Sequence, residues 1–442
     1  MAVMTEVTPV EYVGIAVGLM SAIFGVSSIL GTVLGGIIVS STSWRWVFFL
    51  NLPPGITSLI VVIFIFPVNS EPLPITWRTI KGIDFFGVTL FLIGCVPLIF
   101  ALESGGMHYE WNDAPIIVSF TLGGIGLISF AMWQWYISKR FQNNYLLPLV
   151  PASLVSQRTT GFSMLAAFFT GFPFMATIIF LPQRLQLQNG LTPIRAGIDM
   201  LPLLLLSATG AAVCGMVAAR SKIGGMAWYL LVGSLPLQMF GLGLMSTLPK
   251  SAGPVPAQQY VFQVFLGLGF GIALSSLAIV ARLEVSKDDI SVVMGAITQV
   301  RVLGGLVGIA IGQAVISSRI TSELGPVLGP DRLAAILQSI TAIQMFPSDL
   351  ANLVRESYGQ SFSLQHKVMI GFAAAALLSC LAAWKHNFEN MQELEKKRVE
   401  REMQSSCTGL SPMVEVPARL EGDIRDSGYE LTDRGIHGRI NQ

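Results

Sequence analysis

Residues 25–55 read GVSSILGTVLGGIIVSSTSWRWVFFLNLPPG. The first half is apolar enough to lie in lipid, yet it carries glycine at Gly25, Gly31, Gly35 and Gly36, and glycine weakens a helix in water. Lipid tails are as apolar as leucine, so membrane helices associate by close packing, which small residues permit. At about 100° per residue, Gly14, Gly18, Gly25, Thr32 and Gly36 share one face, and Gly31 and Gly35 form an adjacent GxxxG pair. The pattern predicts a second helix passing close by. It recurs at Gly267 and Gly271 and at Gly304, Gly308 and Gly312. Two glycine-faced helices, one near each end of the chain, suggest repeated halves packed together. Glycine spacing alone fits a generic tight helix contact equally well.

Outward from this stretch the composition sets the class. Of 442 residues, 52% are hydrophobic and 12% charged, well below the roughly 25% charge of soluble domains. Charge-free windows near the ~20 residues needed to cross a bilayer fall at about 14–40, 47–67, 85–102, 115–137, 159–181, 197–219, 227–247, 259–281, 291–318 and 368–384. Continuous apolar runs exclude a β-barrel, whose strands alternate over about ten residues. The expectation is an all-α polytopic membrane protein with about 10 spans. The bilayer is its first partner, and nucleic acid is excluded because no basic patch is interleaved with aromatics.

Placing residues 1–13 in the cytoplasm puts nine Lys and Arg in the inner loops (Arg78, Lys81, Lys139, Arg140, Arg158, Arg220, Lys222, Arg282, Lys287) and four in the short outer loops (Arg45, Arg184, Arg195, Lys250). That bias predicts both termini inside. Cys95, Cys214 and Cys380 fall within spans and Cys407 in the tail, without metal-type spacing. The acidic, proline-containing start MAVMTEVTPVEY is no signal peptide, and the chain holds no glycosylation sequon.

The organisation reads as two helices, then two, then six. Residues 1–67 hold the first pair. Residues 68–157 hold a central pair between two proline-containing polar linkers, 68–83 and 138–157. Residues 158–384 form a six-helix bundle with a long outer connection at 319–366, in which DRLAAILQSITAI and PSDLANLVRESY have helical apolar spacing. Residues 385–442 are a cytoplasmic tail, a charged helix running into a polar end.

The run GLMSAIFGVSSILGTVLGGIIVSSTSWRWVFFLNLPPGI resembles the fifth-helix antiporter motif of the major facilitator superfamily, in its fungal fourteen-helix drug:proton antiporter branch. Gly25, Gly31, Gly35, Gly36, Trp44, Arg45, Trp46, Asn51, Pro53 and Gly55 match that pattern, whereas Thr32 stands where proline is usual. YVFQVFLGLGFGIALSSLAIVAR, DDISVVMGAITQVRVLGGLVGIAIG and AGIDMLPLLLL resemble the later helices, and CGMVAARSKIGG is a weak echo of the cytoplasmic Gly-x-x-x-Asp-Arg motif. The likeness covers nearly all of residues 9–384. It implies a facilitator-type bundle that exports small organic molecules, drugs, toxins or fungal secondary metabolites, by alternating access with protons as the coupling ion. Independently of the resemblance, the sequence shows no Ser/His/Asp or Cys/His arrangement, phosphate-cradling loop or metal cluster, so no cofactor, metal or catalytic residue is expected and an enzyme is disfavoured. The expected location is the plasma membrane, with the vacuolar membrane as the alternative; oligomeric state is not legible.

The same resemblance implies a six, two and six arrangement, of which two, two and six are present. The four helices expected before residue 9 raise a competing reading, a truncated non-transporting fragment or a mispredicted gene product. A nutrient facilitator is a third, disfavoured by the motif around Gly31.

Candidate residues follow from polarity inside the spans. Arg301 is the one ionisable residue well inside a span, where charge costs at least about 2.5–3.5 kcal/mol, so it is expected to face protein or a water-filled cavity; the alternative is snorkelling to the cytoplasmic face. Asp199, near Arg195 and Arg184, is either a proton-binding carboxylate or a helix-start carboxylate favoured by the helix dipole. Gln134, Gln238, Gln263, Gln299 and Gln313 line a substrate path or tie helices together. Gly171 and Pro173 interrupt the fifth span among Phe168, Phe169, Phe172 and Phe174, where transporter helices bend around a site. Arg45 between Trp44 and Trp46 reads as an interfacial clasp. Asp84 and Glu103 sit at helix ends, and the four histidines are assigned to loops, interfaces or the tail. No carboxylate lies at mid-depth.

Overall fold

The computed structural model describes residues 45–65, 84–105, 109–140, 155–221, 225–283, 290–329 and 346–384, with isolated positions elsewhere. Eleven helices stand within these residues: α1 Arg45–Phe49, α2 Leu52–Ile65, α3 Phe85–Ser104, α4 Ala114–Arg140, α5 Arg158–Leu187, α6 Pro193–Ile198, α7 Leu201–Arg220, α8 Met226–Ser246, α9 Gln258–Leu283, α10 Ile290–Leu328 and α11 Ser348–Ala382. Among the described residues the one β-type contact is an isolated bridge between Gly105 and Tyr109. Backbone polar groups in hydrocarbon must be satisfied within the segment, and helices do this. Nine stretches among the described residues are long and apolar enough to span a membrane. The other expected span, 14–40, lies outside the described residues except for scattered helical positions.

The bundle of α5–α11 holds the core. Within it α5 packs on α10 and α11, α9 packs on α7 and α8, and α8 packs on α11. Two apolar clusters fill it, one around Phe180, Leu185, Leu242 and Phe362, the other around Leu231, Leu235, Val280 and Val293. The internal prolines Pro173, Pro182, Pro236 and Pro326 are accommodated within α5, α8 and α10, because neighbouring helices and local adjustments satisfy the freed carbonyls.

The central pair is a tight hairpin, α3 against α4, and α3 also contacts α10. Its crossing rests on Gly94, Gly123 and Gly126. A Cβ added at Gly126 would stand 2.6 Å from Gly94 N, and one at Gly123 would stand 3.0 Å from Gly94 O.

Two boundaries differ from the sequence reading. Residues 319–366, read as an outer connection, are mostly helix: α10 continues to Leu328 and α11 begins at Ser348. The helices outrun the apolar windows because their polar turns pair with each other. Arg319 Nη2 lies 2.6 Å from Glu323 Oε1 and 2.8 Å from Gln360 Oε1, and Ser357 Oγ donates to Glu323 Oε2 at 2.8 Å. The sixth span is broken at its start into α6 and α7. Asp199, expected one turn into that span, is instead the C-cap of α6.

Candidate functional site

The α5–α10 crossing gathers five of the residues singled out in the sequence, Gly171, Arg301, Gly304, Gly308 and Gly312. A Cβ on Gly171 would run into the Arg301 carbonyl oxygen and stand 2.8 Å from Gly305 N, so only hydrogen fits there. From α10, Gly304 abuts the Phe168 backbone, Gly308 would place a Cβ 2.6 Å from Phe172 Cα, and Gly312 faces the Phe180 ring. The glycines predicted on α10 are therefore packing glycines, as are Gly267 and Gly271, which meet the backbone of Leu203 and Ser207 on α7. These contacts join helices of one bundle. The other glycine face in the expectation of packed halves, Gly14, Gly18, Gly25, Thr32 and Gly36, lies outside the described residues.

Arg301 projects from this crossing. It is half-buried, and its guanidinium carbon lies 5.6 Å from the centroid of the Phe174 ring, a cation–π distance. Phe174 meets Phe270 edge-on at 5.4 Å. The ion pairs among the described residues are Arg195–Asp199 and Arg319–Glu323, so no carboxylate there neutralises Arg301. Nearby on α5, Phe168 lies 5.1 Å from Phe172, and Phe172 stacks on Phe372 of α11 at 4.2 Å. Gln299, two residues away, is exposed.

A second polar group sits at the start of α7. Buried Asp199 pairs with Arg195 at 3.3 Å, and the arginine side chain is 61% exposed. Gln263 Nε2 on α9 donates to the Asp199 backbone oxygen at 3.0 Å. Gln263 and Asp199 thus come together, apart from the Arg301 crossing, and Gln263 acts as an interhelical tie. Gln238 likewise donates to Gly269 O at 3.0 Å, and Gln313 to Ser317 of its own helix at 3.3 Å.

Gln134, considered for a substrate path, has a structural partner that was missed. Its Nε2 donates at 2.7 Å to Asp84 Oδ2. Asp84, read as interfacial, is 2% exposed. Its Oδ1 accepts from Gly87 N at 2.7 Å and from Trp133 Nε1 at 2.9 Å. The signal was available: Asp immediately before an apolar run is an N-cap. Two further assignments change. Arg184, placed in an outer loop, lies in the last turn of α5 and is buried; it donates to Gln188 Oε1 at 2.8 Å and Pro249 O at 3.3 Å. His366, assigned outside the spans, is 1% exposed within α11, with Nδ1 2.8 Å from Phe362 O.

Of the glycine motif in residues 25–44, only part lies within the described residues. Among the described residues, nothing comes within 4 Å of a Cβ placed on Gly31 or Gly35. Gly25, Thr32, Gly36 and Trp44 lie outside the described residues. Beyond them Trp46 meets Phe49 edge-on at 5.7 Å, Asn51 Nδ2 donates to Val47 O at 3.2 Å, and Pro53 lies in the first turn of α2. The Asn51 contact closes the α1–α2 turn, a structural task.

A glycine-packed bundle of apolar helices long enough to cross a bilayer defines a polytopic membrane protein. The chain belongs to the Major Facilitator Superfamily, a family of membrane transporters, which its residues 1–309 match. It is 37% identical over 382 residues to the MFS-type transporter FPY5 of Fusarium mangiferae, covering 84% of this chain and 63% of that one. It is 30% identical over 393 residues to the rubrofusarin-specific efflux pump aurT of Gibberella zeae, covering 86% and 69%. Efflux pump aflT of Aspergillus parasiticus is 27% identical over 335 residues, covering 74% and 63%. The chain therefore spans about two thirds of the length of these relatives.

Proposed function

We propose that the protein is a secondary active transporter that exports small organic molecules, drugs, toxins or secondary metabolites, by alternating access with protons as the counter-ion. The observation that carries this reading is Arg301: a half-buried cation without a carboxylate partner among the described residues, held at a backbone-tight helix crossing beside phenyl rings. Charge inside a span is costly and is found chiefly where it serves a pathway. The efflux pumps among the relatives support the direction of transport. In this reading the plasma membrane holds the protein, both termini face the cytoplasm, Gly171 and Pro173 give α5 its hinge, and Asp199 lies on the coupling route near the outer face.

The test is transport by the 442-residue chain in proteoliposomes. An acid lumen is expected to drive uptake of a fluorescent aromatic substrate into inside-out vesicles, protons leaving as the substrate enters, and dissipating the pH gradient is expected to abolish it. A properly inserted chain that moves nothing under any gradient would overturn the reading in favour of the non-transporting fragment.

A further inference from the structure

We propose that the cargo bound at the α5–α10 crossing is an aromatic organic anion, a carboxylate, phenolate or enolate, held by the Arg301 guanidinium. The proposal rests on the transport reading above and names the chemical class it takes. Three features of the crossing support it.

The first is position. Gly171 admits the Arg301 backbone so closely that a Cβ would collide with its carbonyl oxygen, and Gly304, next on the same face, abuts Phe168. The guanidinium is thus presented from a fixed backbone, as a preorganised site requires. The second is charge. A cation placed in a span needs a partner, and no carboxylate among the described residues is within ion-pair distance of Arg301. Guanidinium offers a planar fork of N–H donors that matches a carboxylate two-point fashion and also stacks on aromatic planes. The third is the wall. Phe174 already lies against the guanidinium at 5.6 Å. Phe168 and Phe169, 5.5 Å apart, remain only half-buried on the same helix, leaving ring surface for a flat aromatic body. A cationic drug would meet an uncompensated positive charge here.

Charge also bears on energetics. A cell interior is electrically negative, so an anion leaving it moves down the electrical gradient. Cargo of this sign asks less of a proton-binding carboxylate at mid-depth, and the spans carry none.

The experiment measures binding of two matched probes, 1-hydroxy-2-naphthoate and its methyl ester, to the full chain in nanodiscs by fluorescence titration. The anion is expected to bind at least about tenfold more tightly than the ester. Arg301→Gln is expected to bring the ratio close to one, and Arg301→Lys to keep part of it, because the charge remains while the fork is lost. Size-exclusion elution at the wild-type position shows that each variant is folded. If wild type binds both probes alike, or Arg301→Gln keeps the preference, the anion assignment is overturned while the aromatic path stands. If neither probe binds, or Phe168→Ala changes neither affinity, the substrate path fails and the proposal falls with it.

Discussion

At the scale of the residue, a glycine has meaning only through what passes over it. Gly308 and Gly31 look equivalent in sequence, each in a GxxxG repeat on an apolar helix. In the structure a Cβ on Gly308 stands 2.6 Å from the backbone of Phe172, whereas one on Gly31 meets nothing within 4 Å among the described residues. Backbone cannot yield as a flexible side chain can, so Gly308→Ala is expected to destabilise the bundle by about 1–3 kcal/mol. Gly31→Ala is expected to stay within about 0.5 kcal/mol of wild type, as surface changes usually do. Thermal unfolding midpoints in detergent compare the two. Equal losses would mean that a partner helix does close on Gly31. The sequence made the small-residue faces legible because their period is helical, but a period does not name the opposing helix. Arg301 was legible for a different reason: a charge in an apolar window is conspicuous wherever its side chain ends.

At the scale of the element, the α3–α4 hairpin shows what the windows left hidden. Its two spans were readable from length and apolarity, and Asp84 was visible as a helix-end acid. Its burial, and the convergence of Trp133 and Gln134 from 49 and 50 residues away, were not. Such contacts depend on the crossing that Gly94, Gly123 and Gly126 permit, which local pattern does not specify. The carboxylate caps α3 through Gly87 and ties α4 through two side chains. Hydrogen bonds to a charged group contribute about 1.5–3 kcal/mol, and donors left buried without an acceptor cost about 1–3 kcal/mol each. Asp84→Ala is therefore expected to loosen this end of the hairpin, read as faster amide exchange in residues 85–90 and 130–138 with exchange in α5 unchanged. Asp84→Asn is expected to keep most of the protection: its Oδ1 still accepts from Gly87 and Trp133, and the Gln134 amide can turn to present its oxygen. Equal exchange in wild type and Asp84→Ala would remove the carboxylate from the account of the hairpin.

At the scale of the whole molecule, burial is distributed unevenly along the chain. The most apolar 18-residue stretch of the span Arg45–Phe64 has no buried residue, whereas 67% of the corresponding stretch is buried in α5 and in α9. In the hairpin the figures are 22% for α3 and 17% for α4. Nine of the ten expected spans were legible because they depend on apolar windows, but the windows are alike in composition and do not rank the spans by contact. Cohesion comes from packing, and it is concentrated in α5–α11. Removing residues 1–67 should therefore leave the bundle's unfolding midpoint within about 2 °C of the full chain, since a change below about 0.5 kcal/mol moves a midpoint little. Cutting within the bundle, by deleting α11, should abolish cooperative unfolding, because α11 packs on α5, α8 and α10 together. Differential scanning of tryptophan fluorescence in detergent follows the bundle through Trp228, whose Nε1 donates to Cys380 O at 3.0 Å across α8 and α11. If removal of residues 1–67 lowered the Trp228 transition by 10 °C or more, the first helices would be packing partners of the bundle, and the glycine face of residues 14–36 would be the surface to suspect.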